Sequence, residues 1–357
     1  MPPLSVPSES PTARQSDDGL YGDHVHALSG SARVFSPRTG LDPVANGQAG
    51  RAKDSGDVWY ANLDLRFSAR EMRQTTSLQT EVPHDAAAVI ESKNSDIASM
   101  CDIQTVLRHR HVGPLRIQKP LYPEGPACCH AVMIHPPGGI ACSDVLTLQV
   151  DVAPRAHALI ITPAATKWYG AFGQDGCATQ EISLNVNGRL EWLPAEAIVF
   201  DRARVRSSFD IYLGPQGQLF GWDHLIFGRQ GCGEAFSQGC FDQRLRFHID
   251  GKRVWIDRMR LNGADPLFAS SIGFDHHNSC ATAWMAMPLG QPIEDALIEA
   301  ARHSHPDVAF TRIHARLLIM RALAPAMVLR QRLEALWCWF RPRCLGRAAQ
   351  IPRLWAT

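Results

Sequence analysis

What this 357-residue sequence lacks narrows its function first. No run approaches the roughly 18 consecutive apolar residues of a transmembrane helix. No basic segment followed by an apolar stretch opens the chain, so neither membrane spanning nor secretion is expected. An excess of one charge is also missing. The 36 Lys and Arg nearly cancel the 35 Asp and Glu, and a formal net charge of +1 gives no reason to expect nucleic acid or an anionic membrane as partner. The ten cysteines have neither the spacing of a disulfide framework nor a CxxC pair. The thiols are therefore expected to be reduced, in the cytoplasm, and Cys142, Cys177, Cys232, Cys240 and Cys280 do not compose a zinc site. No Gly-x-x-x-x-Gly-Lys-Ser/Thr loop occurs, so nucleotide hydrolysis would fall to a partner.

What is present is mostly strand. Leu146, Leu148, Val150 and Val152 alternate with Thr147, Gln149 and Asp151, a half-buried strand. It follows a corner, His135-Pro136-Pro137-Gly138-Gly139, made rigid by two prolines and sharp by two glycines. Ala158-Leu159-Ile160-Ile161 is too continuous for a strand with one wet face. Alternation recurs up to Asn187-Gly188, Gly214-Pro215 and Asp250-Gly251, which predicts successive hairpins. Beyond about residue 285 the period changes. Leu329, Leu333, Leu336, Trp337 and Phe340 mark one face of a helix expected to end before Pro342, and a second helix is predicted over 293–302. Between them, Arg316 to Met320 and Arg321 read as a buried strand.

Residues 1–56 are rich in Ser, Pro, Gly, Asp and Arg and are expected to be a disordered extension. Residues 57–357 form the folded domain, with a surface loop inserted at 77–104 and a helical C-terminal part from about 290.

Several blocks carry a resemblance. Gly113-Pro114-Leu115-Arg116-Ile117-Gln118 leads to Tyr122-Pro123-Glu124-Gly125, followed by His135 to Gly139 and by Thr162-Pro163-Ala164-Ala165-Thr166-Lys167-Trp168-Tyr169. In the same order come Leu190 to Pro194, Gly221-Trp222-Asp223, Gly233-Glu234-Ala235-Phe236 and Pro352 to Thr357. Together they resemble the urease accessory protein UreD family, also called UreH. The resemblance implies a mainly β fold, a helical stack of many strands like a β-helix, with about two C-terminal helices. It also implies a non-enzymatic scaffold that binds apo-urease, UreF-type and UreG-type (GTPase) accessory proteins, and helps nickel reach the urease active site. No tightly bound cofactor is expected, only transient nickel. Where the family commonly has two glycines before its aspartate, this chain has Cys142 and Ser143 before Asp144.

The candidate nickel path is Glu124, Asp144, Glu191, Glu196, Asp201 and Glu234, all inside these blocks, beside turns or in apolar strands. Oxygen ligands would hold a hydrated divalent ion loosely enough to release it. The competing reading pairs each carboxylate with Arg116, Arg204, Arg229 or a backbone amide, since buried carboxylates are usually paired. Cys142 and His135 are candidate soft ligands. Cys128-Cys129-His130 is not expected to hold one ion, because adjacent strand residues face opposite ways. Asp275-His276-His277 reads as an exposed polar loop. Arg341, Pro342, Arg347, Arg353 and Trp355 are candidates for partner docking. Two other classes stay open: a carbohydrate-active enzyme with two carboxylates roughly 5–10 Å apart in a groove, and an interaction scaffold without a metal path.

Overall fold

The computed structural model describes residues 58–72, 103–173 and 176–356. The extension expected over 1–56 and most of the insertion expected over 77–104 lie outside the described residues.

The core is a β-solenoid of three full turns and a fourth that lacks the short strand. The first turn comprises β4 (Cys128–Ile134), β5 (Gly139–Ile140) and β6 (Val145–Val152). The second comprises β7 (His157–Ile161), β8 (Thr166–Trp168) and β9 (Ala178–Val186). The third has β10 (Arg189–Leu193), β11 (Ala197–Val199) and β12 (Arg204–Leu213), and the fourth β13 (Gln218–Phe227) and β14 (Cys240–Ile249). Equivalent strands stack in parallel, β4-β7-β10-β13 in one sheet and β6-β9-β12-β14 in the other. Antiparallel strands finish both ends. β1 (Tyr60–Glu71) lies parallel to β6 and pairs antiparallel with β2 (Ile103–Val112), while β3 (Arg116–Ile117) flanks β4. At the other end are β15 (Lys252–Asn262), β16 (Ser279–Ala286), β17 (Ala309–His314) and β18 (Leu317–Leu323).

Register explains the core. Leu63, Leu148, Ile182, Phe209 and Leu245 stack in one row across the seven-stranded sheet, and Leu65, Val150, Leu184, Ile211 and Phe247 in the next. These rows are buried against the larger sheet, and each such side chain contributes on the order of 1.5–3 kcal/mol. The larger sheet is covered on both faces, which is why its strands read as continuous apolar runs. Its outer face, including Leu159, Leu193, Phe220 and Met285, packs under the two helices α1 (Asp295–Ser304) and α2 (Ala326–Cys344).

Three sequence expectations need correction. Only Asp250-Gly251, with φ of 50° and 77°, closes a hairpin, between β14 and β15. At Asn187-Gly188 and Gly214-Pro215 the chain instead crosses from one sheet to the other. Gly188 is there for closeness, since a Cβ would stand 2.3 Å from the carbonyl oxygen of Ala153 in the turn below. The second correction concerns α2, which runs through Pro342 to Cys344 because Arg341 ties its last turn to the sheet. Third, β17 and β18 extend the larger sheet within the part expected to be helical, although the strand expected near 316–321 is present as β18.

Candidate functional site

Under α2 the outer face of the larger sheet carries two rows that hold polar side chains. Cys128, His157, Arg189 and Gln218 open β4, β7, β10 and β13 in register, and two residues further on His130, Leu159, Glu191 and Phe220 form the next row. Alternation in β10 sends Leu190 and Trp192 into the space between the sheets and Glu191 out toward α2, where it is 0% exposed. A carboxylate this deep requires partners. His157 Nε2 lies 2.7 Å from Oε1, Trp337 Nε1 donates to Oε2, and Arg341 donates from Nε at 2.9 Å and from Nη2 at 3.0 Å. Arg341 is also 0% exposed, and its Nη2 donates to Glu124 at 2.8 Å. Glu124, in the turn before β4, takes His130 Nε2 at 2.7 Å, with Arg347 Nε 3.7 Å away. One guanidinium thus clamps two carboxylates that approach from separate turns, the bidentate geometry that arginine favours.

The electrostatics follow. Burial would raise the Glu124 carboxyl, but hydrogen bonds from His130 and Arg341 more than reverse this and hold it at about 2. Glu191 is likewise held low against its burial by His157 and Arg341. Burial pushes His157 down and the Cys128 thiol well above the usual range, so both are neutral near pH 7.

Two sets of potential ligand atoms, Glu124 with Cys128 and His130, and Cys128 with His157 and Glu191, lie within 4.8 Å of one another. The sequence expectation separated Cys128 from Cys129 correctly but overlooked that Cys128 and His130, two apart, share a face. An ion in either set would have to deprotonate Cys128 and compete with Arg341 for the carboxylates.

The six candidate carboxylates occupy four places. Glu124 and Glu191 share Arg341. Asp201 and Glu234 form a clasp between loops: Asp201 Oδ1 accepts from the amides of Ser237 and Gln238 at 2.7 and 2.8 Å, and Glu234 pairs with Arg229 while accepting from the Asp201 amide at 3.1 Å. Asp144 accepts from the Ala141 amide at 2.9 Å and faces His135, burial raising the first and lowering the second. Glu196 lines a cavity with His224 and Arg330. Cys142 donates to the Gly176 carbonyl at 2.9 Å. Ser143 takes φ 71°, so a side chain is forced into the left-handed conformation that glycine adopts freely. Asp275 and His276 are exposed in a loop, both at positive φ.

The docking candidates also divide. Arg341 is an internal clamp and not available to a partner, and Trp355 is half-buried, edge-to-face with Trp337 at 5.3 Å and tilted against Trp222 at 5.8 Å. Arg347 bonds the Glu124 carbonyl, while Pro342 and Arg353 are exposed. Reasoning from sequence missed His130, His157 and Trp337, and assigned Arg341 the wrong surroundings. A signal existed: Leu329, Leu333, Trp337 and Arg341 fall four apart on one buried stripe, and a charge on such a stripe needs a buried counter-charge.

A sequence model of the family described as UreD urease accessory protein matches residues 92–356. The chain belongs to this family. Among its relatives, each named urease accessory protein UreD, that of Dechloromonas aromatica is 40% identical over 71% of this chain and 90% of its own length. The relative from Pseudomonas fluorescens strain Pf0-1 is 42% identical over 70% and 88%, and that from Cupriavidus metallidurans 34% identical over 84% and 95%. UreD proteins are accessory proteins and not enzymes, which sets aside the carbohydrate-active alternative. Membership supports a role in urease maturation. No described helix is long and apolar enough to cross a membrane.

Proposed function

We propose that this chain acts in the cytoplasm as a urease maturation scaffold, binding the urease apoprotein together with UreF-type and UreG-type accessory proteins and assisting the delivery of nickel to the urease active site. The observation that carries this reading is the family match across residues 92–356. Nickel is cargo here, not a resident cofactor. Its candidate path remains the set Glu124, Asp144, Glu191, Glu196, Asp201 and Glu234, with Cys142 and His135 as softer ligands beside Asp144. The two rows under α2 add nitrogen and sulfur donors close to Glu124 and Glu191. The exposed Pro342 and Arg353 keep the C-terminal segment a candidate docking face.

A second reading, a scaffold without a metal path, draws support from the way Glu124, Glu191 and Glu234 are each closed by arginine. One experiment addresses both. Urease activity is measured at limiting nickel in cells making the urease subunits and the other accessory proteins, with and without this chain. Activity that depends on the chain supports maturation; full activity without it overturns the proposal. If Asp144→Ala and Glu234→Ala variants then activate urease as well as the parent chain does, the scaffold without a path is the better account.

A further inference from the structure

Along the corner where each turn enters the larger sheet, the chain's own charges do not balance. His157, Arg189 and Gln218, from successive turns of one row, line a half-open cavity of about 360 Å³ with Arg155 and with Arg347 from the segment after α2. Two guanidiniums, Arg189 and Arg347, line its inner part, and no carboxylate lines it; Glu124 and Glu191, outside the lining, are both already clamped by Arg341. Arg155 at the rim is paired with Glu71 at 3.2 Å. Arg189 is the cation left over: its Nε donates to the amide oxygen of Gln218 at 2.8 Å, and no carboxylate pairs with it among the described residues. Burial, and then the nearby charge of Arg347, push its pKa down, and the opposing pull of Glu191, which forms no ion pair with it, does not offset them. His157, 2% exposed, spends Nε2 on Glu191, and its buried Nδ1 has no partner.

We propose that this cavity binds one small free oxyanion of the phosphate, sulfate or carbonate class, held chiefly by Arg189 with Arg347 beside it and Arg155 at the rim. A guanidinium presents parallel N–H donors that match two oxygens of such an anion, and a half-buried cation without a counter-charge is stabilised when one arrives. An oxyanion that carries a proton can also donate it in a hydrogen bond to the open Nδ1 of His157. The inference rests on this chain's own charges and not on the reading of its role in urease maturation.

The test uses the full chain, titrated calorimetrically with sodium phosphate against sodium chloride at matched ionic strength, with thermal unfolding followed in parallel. Expected are saturable binding of one phosphate per chain and a rise in Tm absent in chloride. Arg189→Gln should weaken binding by about tenfold or more, and the exposed Arg155→Gln by a few-fold. Circular dichroism in chloride checks that each variant is folded. Should Arg189→Gln fail to fold, Arg155→Gln and Arg189→Lys decide, the latter keeping the charge but losing the fork. No saturable binding, or equal affinity in parent and folded variants, overturns the proposal. So does an inert response to phosphate combined with loss of urease-complex assembly on Arg189→Gln, which would give the cavity to a partner's carboxylate.

Discussion

Replacing Arg341 with Met keeps an unbranched apolar stem under α2 and deletes only the guanidinium. Glu191 then loses the donors to both its oxygens from this residue, and Glu124 loses one. His157, Trp337 and His130 still reach the two carboxylates, but Glu191 has no ion-pair partner left and Glu124 keeps only Arg347, 3.7 Å away. Breaking one side of a buried ion pair costs about 3–5 kcal/mol. With an unfolding entropy near 2.1 cal/mol/K per residue over roughly 300 residues, that loss lowers Tm by about 5–8 °C. The pH dependence supplies a sharper readout. In the parent, Glu191 and Glu124 are held below their ordinary values, so their contribution to stability is constant near neutrality and is lost with acid. In Arg341→Met, His157 and Trp337 still oppose the burial of Glu191 but its cation is gone, so its carboxyl moves up from the parent's value. The stability lost with acid is then smaller in the variant, so the gap between parent and variant narrows as pH is lowered from about 7 through the carboxylate range. Thermal unfolding by circular dichroism across that range tests both points. A loss under about 1 kcal/mol, or a variant with the parent's pH profile, refutes the clamp. Full retention of Tm by Arg341→Lys would show that a point charge suffices and that the fork is incidental.

Three further outcomes follow from the geometry. Glu124 is held at about 2 with its side chain 4% exposed, so its contribution, roughly 3 kcal/mol, is present above its unfolded pKa near 4.5 and is lost as pH falls toward 2; urea midpoints that decline no more steeply in the parent than in Glu124→Gln would contradict this. Asp223 is raised to about 6 by burial, with Gln243 opposing, so folding retains its proton and stability declines by roughly 2–3 kcal/mol as pH rises from about 4 through 6. Asp223→Asn should remove that slope and be the more stable form at pH 7, as unfolding curves at pH 4 and 7 will show. Ser143→Gly should raise stability by about 1 kcal/mol by relieving a left-handed serine, and a lower Tm in the variant would contradict that account.

Strand existence was legible because period 2 is written residue by residue, as in Leu146 to Val152, and the apolar stripe of α2 was legible because it stays within one element. Turn chemistry was less decisive. Asn187-Gly188 and Asp250-Gly251 look alike in sequence, yet one crosses between sheets and the other reverses within a sheet, and what separates them is the neighbour below: the Val152 carbonyl accepts from Asn187 and Gly188 at the first. The candidate site was legible only in halves. Glu191 stood out as a charge in an apolar strand, but its partner Arg341 lies 150 residues away, and register, not spacing, brings them together. His130 and His157 gave no local sign, since a histidine on an apolar strand looks the same whether its ring meets a carboxylate or a methyl group.

The pairing of Glu71 with Ile103 at the end of β1 and β2 fixes the two ends of the connection between them, whatever lies in between. Closing a flexible connection costs an entropy that grows only with the logarithm of its length, about 0.6 kcal/mol for each doubling. Added length at this hairpin therefore weighs little against the stacked rows that β1 joins. A chain can lengthen here over evolutionary time without renegotiating its core, whereas one residue gained or lost inside a solenoid turn would shift every row above it.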